Sequence, residues 1–252
     1  PAVFADQGLL TLNAITQKLF PKKEKIVKDF ISNVPHQRIE KLSHRKTCEI
    51  KSLHDAKAHT LSSSLTVEFD SDPLRHELKK LKWLNGQILP YILHVFSQLL
   101  KNHPKFTAFY ADGFINYYDH IHLGIAVDID KGLKVLVLPD ANFLSLFELS
   151  MLFIESIGRY YDDTLEEKHV TGSTVTITDL SSHNIMYFHP LLNKKQSVIL
   201  GIGGDNKQTG YPMSLTIVFD HQILSGKEIA LFLNELKEKI LDFKNVTNVN
   251  NN

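Results

Sequence analysis

The chain has 252 residues, of which 43% are hydrophobic, enough for one substantial core. Lys plus Arg and Asp plus Glu balance at 28 each, so there is no global field to draw in nucleic acid or an anionic membrane surface. No apolar run reaches the roughly 18 residues a membrane helix needs, and Cys48 is the sole cysteine, which excludes an internal disulfide and a multi-cysteine zinc site.

In chain order, residues 1–35 read as a helical lead-in or linker, with Leu9, Leu10, Leu12, Ile15 and Leu19 ahead of the Phe20-Pro21 break, and Pro35 marks a boundary. A second helix is predicted from about Ser43 to Lys57, with Cys48 as an inert, partly buried thiol. A strand follows over 61–69, placing Leu61, Ser63, Leu65, Val67 and Phe69 on one face. Asp70 to Pro73 has the composition of a helix start. The apolar stretch 86–101 reads as a buried helix that stops at Asn102-His103-Pro104. Short strands are predicted over 114–117 and 120–128, with Lys131-Gly132 turning into a strand over 133–138. A long helix over 144–161 precedes strands over 173–178, 196–203 and 213–219.

In the last of these strands Met213, Leu215, Ile217 and Phe219 alternate with Ser214, Thr216, Val218 and Asp220, the period of a half-buried strand. Beyond it Ile229, Ala230, Phe232, Leu233, Leu236 and Ile240 recur at helical spacing. His221 therefore sits at a corner between two packed elements, where its ring can be aimed. An imidazole with an unperturbed pKa near 6.5 is a natural general base. The mixed order of elements argues an α/β fold, a mixed sheet flanked by helices. The polar tail 244–252 reads as disordered.

Other histidines and glycines invite sharper readings. His120 and His122 lie two apart on a predicted strand and could share a metal, but no Asp, Glu or Cys is clearly placed to complete a set, so no metal is expected. His183 and His189 flank a loop. Gly201-Ile202-Gly203-Gly204-Asp205 lacks both common phosphate-loop patterns and reads as a turn that ends a strand.

Four segments in order carry a family resemblance. Asp220-His221-Gln222-Ile223-Leu224-Ser225-Gly226 matches the frame of an Asp-His-Arg-x-x-Asp/Asn-Gly signature. Leu123-Gly124-Ile125-Ala126-Val127-Asp128 with Lys131-Gly132-Leu133 is similar to a Gly-x-Ala-Val-Asp…Gly-Leu strand pair. Thr174 to Leu180 is similar to Thr-Phe-Thr-Ile-Ser-Asn-Leu, and Phe188-His189-Pro190 with Val198 to Gly203 to Phe-Thr-Pro…Ala-Ile-Leu-Gly-Val-Gly. Over roughly 36–243 the chain resembles the catalytic domain of the dihydrolipoamide acyltransferases of 2-oxo acid dehydrogenase complexes, in the chloramphenicol acetyltransferase-like superfamily.

The resemblance implies a homotrimer with active sites at subunit interfaces and acyl transfer between thiols: coenzyme A, dihydrolipoamide, or the phosphopantetheine of a carrier protein. His221 would be the general base and Thr178, in place of the family's serine, the oxyanion donor. Asp220, Gln222, Ser225 and Gly226 would support the catalytic loop. The signature's Arg is Gln222 here, its Asp or Asn is Ser225, and the family's Pro in the 133–138 strand is Leu136. These residues contain no lipoyl-type domain, so a lipoyl or acyl carrier protein is an expected partner, and the polar tail argues for an isolated trimer rather than a larger shell. A cytoplasmic location is the expectation from the lack of a secretory signal. The alternatives are a catalytically lapsed trimeric scaffold, supported by Gln222 and Ser225, and an enzyme acylating a small hydroxyl compound. The latter's relatives carry a second His before the catalytic one, where this chain has Asp220.

Overall fold

The computed structural model describes residues 40–129, 131–206 and 211–242, together with Phe4–Ala5 and Gly8–Leu9. Two compact units divide the chain, Pro1–Thr47 and Cys48–Asn252. In the first, Phe4 pairs with Leu9 and Ala5 with Gly8 in a two-residue antiparallel ladder. Helix was expected there; Gly8, a poor helix former, is one of the four described residues of that stretch. The rest of the lead-in and the polar tail lie outside the described residues.

The elements run α1 (His44–Ala58), β1 (Ser62–Phe69), α2 (Asp72–Leu78), α3 (Leu89–Leu100), β2 (Ala108–Ala111), β3 (Phe114–Tyr117), β4 (Leu123–Val127), β5 (Lys134–Leu138), α4 (Leu146–Tyr161), β6 (Val175–Asp179), β7 (Val198–Asn206), β8 (Tyr211–Asp220) and α5 (Gly226–Leu241). Six strands form one mixed sheet in the order β1-β8-β7-β6-β4-β5. Pairing is parallel at β7–β6 and β6–β4 and antiparallel at the other three junctions. The prediction of an α/β fold, a mixed sheet flanked by helices, is thus met.

One face of the sheet carries the core. Val175 and Ile177 of β6, Val198, Leu200 and Ile202 of β7, and Met213, Leu215, Ile217 and Phe219 of β8 pack with the apolar sides of α2 to α5. Alternation alone places these residues together, because successive strand side chains point to opposite faces.

The opposite face departs from the half-buried expectation. Every residue from Met213 to Asp220 is buried. The reason is tertiary: β8 is an interior strand, and the segment from Ile185 to Lys195 folds across its second face. Leu192 from that segment packs on Ile199 and Val218, and the Ser214 hydroxyl donates to the Met186 carbonyl. Glycine permits the crossing. A Cβ at Gly203 would stand 2.7 Å from the carbonyl oxygens of both Ile185 and Met186, and one at Gly201 would stand 2.9 Å from the Phe188 ring. The glycine run expected to be a turn is therefore part of β7, which continues to Asn206. Gly203→Ala is expected to cost about 1–3 kcal/mol, since backbone carbonyls cannot swing aside as a side-chain end can. Its urea midpoint beside that of Gly158→Ala, where a Cβ meets nothing within 4 Å, checks this.

Leu61, Leu65 and Phe69 share a face as expected; of the three only Phe69 is buried, because β1 is an edge strand, and Leu61 is 65% exposed. One other expectation is corrected. Cys48 is exposed rather than partly buried, on a helix whose one buried residue among those described is Ala56. No helix among the described residues is long and apolar enough to cross a membrane.

Candidate active site

The β8–α5 corner is built from the backbone outward. Phe219 is buried in the core, and Asp220, 2% exposed, turns to the opposite side of the sheet. The Asp220 carboxylate accepts from the Leu61 amide, the Gln222 amide and the Gln222 side-chain amide, each at 3.1 Å. A second contact from Gln222 Nε2 reaches its other oxygen, and the same nitrogen donates to the His59 carbonyl at 2.8 Å. The amides of Ile223 and Leu224 close the turn onto the Asp220 carbonyl. A buried carboxylate with this many donors fixes the turn, because it ties the Leu61 and Gln222 amides and the Gln222 side chain to one point.

His221 is thereby held at its backbone. Its amide donates to the Leu61 carbonyl at 2.8 Å. The exposed ring lies 5.5 Å from the Phe219 ring, and no hydrogen bond ties either ring nitrogen to another described residue. The backbone is anchored and the imidazole is available. His221 lines a shallow hollow with Thr60 to Ser63, while Asp220 and Gln222 contribute to a neighbouring cleft of about 670 Å³. That cleft is walled by the end of α1 and its link to β1 (Asp55 to Leu61), by Phe109 to Asp112, and by Lys194 to Gln196. The Lys194 ammonium is 3.3 Å from Asp55, and that of Lys195 lies 5.4 Å from the Phe109 ring centre.

Gln222 thus keeps a bond to the buried carboxylate although it carries no charge. Ser225 has a role of its own in the helix that follows the corner. It is the N-cap of α5, in a reciprocal capping box: its hydroxyl accepts from the Glu228 amide, and the Glu228 carboxylate accepts from the Ser225 amide at 2.8 Å. Ser225→Ala is expected to cost about 1 kcal/mol, measured by urea unfolding. At Gly226, which opens the helix, a Cβ would meet no described residue beyond its own neighbours within 4 Å, so none of them calls for glycine there.

The Lys105 ammonium, 2.8 Å from Glu228, and the Ser225 amide hold that carboxyl down at about 2. A carboxylate lowered on folding contributes its stability above its unfolded pKa of about 4.3, and loses it as pH falls toward the folded value. The stability gap between wild type and Glu228→Gln should therefore close between about pH 4 and pH 2. Chemical denaturation at stepped pH reads this directly.

Thr178 lies elsewhere. It is half-buried on β6, on the sheet face away from the helices, and its hydroxyl has no partner among the described residues. Thr178 pairs with Gly201, and Gly201 with Thr216. His221 is five residues past Thr216, so strand rise and two strand spacings put His221 and Thr178 roughly 20 Å apart in one chain. A single protomer does not bring the two together.

Sequence reasoning missed β2, and with it Phe109 and Tyr110 in the cleft wall. The signal was there: Asp112-Gly113 is a strong two-residue hairpin turn, and both have positive φ (51° and 85°). It also missed Lys194, Lys195 and Gln196, which lie in an irregular segment without periodicity. For His120 and His122 it missed Asp140. The His120 ring meets the Asp140 carboxylate at 2.7 Å, and the Asp140 amide donates to His122 Nδ1 at 3.0 Å. The three could converge on a cation, but the amide already occupies the Nδ1 lone pair of His122. A neutral imidazole then carries its proton on Nε2 and has no lone pair left to offer. The trio braces the loop after β5.

The family described as 2-oxoacid dehydrogenases acyltransferase (catalytic domain) matches residues 34–247. The chain belongs to that family. Among curated relatives of this acyltransferase-family chain is the dihydrolipoyllysine-residue acetyltransferase component of the acetoin cleaving system of Bacillus subtilis. It is 28% identical over 255 aligned positions, which cover 91% of this chain and 61% of that protein. The corresponding component of the pyruvate dehydrogenase complex of Mycoplasma capricolum is 28% identical over 201 positions, covering 72% and 46%. The chain spans about half the length of the curated relatives it matches. The dihydrolipoamide acetyltransferase of Azotobacter vinelandii shares the fold at a TM-score of 0.73 and 22% identity, covering 85% of this chain and 98% of that one. The cubic core of a pyruvate dehydrogenase complex does so at 0.74, also at 22% identity, covering 87% and 97%.

Proposed function

We propose that residues 36–243 form an acyltransferase catalytic domain that moves an acyl group between thiol carriers, with His221 as general base and Thr178 of a neighbouring copy as oxyanion donor. The observation that carries the reading is the β8–α5 corner: a backbone locked by Asp220 and Leu61 presents an uncommitted imidazole beside a cleft with lysines in its wall. Lys194 and Lys195 suit an anionic carrier such as coenzyme A, and the relatives' names point to a lipoyl group as the second thiol.

His221 takes the proton from the attacking thiol as its sulfur bonds to the thioester carbonyl carbon. The carbonyl oxygen becomes an oxyanion and accepts a hydrogen bond from the Thr178 hydroxyl. The intermediate collapses, the bond to the first sulfur breaks, and the imidazolium returns the proton to the departing thiolate. A positioned base contributes typically 10²–10⁴-fold and one oxyanion donor about 10²–10³-fold. The roughly 20 Å between the two groups within a chain favours a trimer that closes each site across an interface. No metal enters this chemistry, and the setting is cytoplasmic.

The test is an acyl-transfer assay with a panel of acyl-CoAs and dihydrolipoamide, with light scattering to report assembly. Transfer by wild type that His221→Ala loses supports the reading and defines the acyl group. An assembled wild-type protein inert toward every pair, including a lipoylated carrier protein, supports the scaffold instead.

A further inference from the structure

Three buried polar atoms without a hydrogen-bond partner among the described residues line one cavity on the helical side of the sheet: Tyr91 Oη, His94 Nδ1 and Asn142 Oδ1. Tyr91 and Asn142 are 2% and 8% exposed, and the cavity is about 680 Å³, within the range of small-molecule sites. It shares no residue with the cleft beside His221. Buried polar atoms are nearly always paired, so three orphans facing one space call for something that fills it.

The donor and acceptor inventory defines what fits. The Asn142 oxygen can only accept. Burial and the nearby Lys101 hold the His94 imidazole below its ordinary range, against a hydrogen bond to the Leu144 backbone that pulls the other way. It is therefore neutral near pH 7, and its Nδ1 faces the cavity without a partner among the described residues. Burial, with Asp242, pushes the Tyr91 hydroxyl up to about 12, so it keeps its proton. The floor thus demands an occupant that brings hydrogen-bond donors. The exposed rim carries two ammonium groups: Lys101 donates to the Gln98 side chain at 2.7 Å, and Lys239 lies 3.8 Å from Glu235. The carboxylate that lines the cavity, Glu148, is bound into the capping box of α4 with Ser145. Water could meet the floor's demand but would bring no counter-charge to Lys101.

We propose that this cavity between α3, the Ala141–Phe143 turn and the end of α5 binds a small hydroxylated anion, hydroxyls inward on Asn142, His94 and Tyr91 and the anionic group outward on Lys101 and Lys239. The site is independent of the acyl-transfer chemistry assigned to His221.

The probe is sn-glycerol 3-phosphate, titrated calorimetrically into the full chain beside glycerol and inorganic phosphate. Saturable binding of glycerol 3-phosphate, at least tenfold tighter than either fragment and unaffected by saturating coenzyme A, is expected. Tyr91→Phe should weaken it about tenfold or more without lowering the melting temperature of the unliganded protein, since it removes an unpaired buried hydroxyl at nearly constant volume. Asn142→Leu gives a second reading of the same kind. No binding at millimolar probe, equal binding of the fragments, displacement by coenzyme A, or binding indifferent to both substitutions would each overturn the proposal and leave a water-filled cleft.

Discussion

On the proposed mechanism, His221→Ala is expected to lower acyl transfer by about 10²–10⁴-fold while the assembly stays intact, because the ring makes no hydrogen bond to another described residue and its backbone anchors do not involve it. The sharper form of this expectation concerns pairing between subunits. Thr178→Val keeps the shape of a half-buried strand residue and removes the hydroxyl, costing about 10²–10³-fold. If each site takes its histidine from one copy and its hydroxyl from the next, randomly mixed His221→Ala and Thr178→Val subunits rebuild intact sites. In a cyclic trimer about one site in four receives both native groups. Mixed trimers should then recover about a quarter of wild-type activity, where each variant alone has close to none. A mixture no more active than the two variants separately would place both groups in one subunit, against the roughly 20 Å that the strand register puts between them.

Phe232→Ala is expected to destabilise the fold by about 3–5 kcal/mol, a large share of the 5–15 kcal/mol that a domain possesses. The side chain is fully buried on α5. It stacks on Phe106 at 4.0 Å between ring centres and meets Phe96 edge-on at 5.9 Å and His103 at 4.9 Å. Aromatic pairs of this kind contribute beyond the area they bury. Truncation would open a cavity bounded by two helices and a 3₁₀ turn, none of which can close it alone. Because α5 begins four residues past the His221 corner's Asp220–Gln222 lock and is anchored by Phe232, transfer should fall alongside stability near the unfolding midpoint. Urea denaturation followed by fluorescence and by activity measures both. Phe232→Leu, which retains most of the volume, should cost well under half as much, and equal losses for the two would show that the ring contacts are not what holds α5.

The elements that could be read directly are those whose pattern is generated locally. The apolar stripe of α5 from Ile229 to Ile240 and the alternation of Met213, Leu215, Ile217 and Phe219 both follow from backbone period and side-chain transfer alone. The four ordered motifs from Leu123 to Gly226 carried the family for the same reason, since they are short and contiguous. His221 was legible because a strand period and a helix period meet at its position.

What the sequence by itself determined was the order and type of the main elements, the core face of each, and the corner that carries His221. Only the tertiary structure decided which neighbours those residues have. The burial of Ser214, Thr216 and Val218 depends on the Ile185–Lys195 segment, whose path over Gly201 and Gly203 is set by contacts with no period along the chain. That Ser225 caps α5 was decided by the structure too, through the bonds of its hydroxyl to Glu228 three residues on. Asp140 joined His120 and His122 through a left-handed turn that no strand pattern announces. Local periodicity encodes which side of an element is apolar. Pairwise encounters between distant residues arise only once loop paths and sheet register are chosen, because those depend on the summed packing of the whole chain.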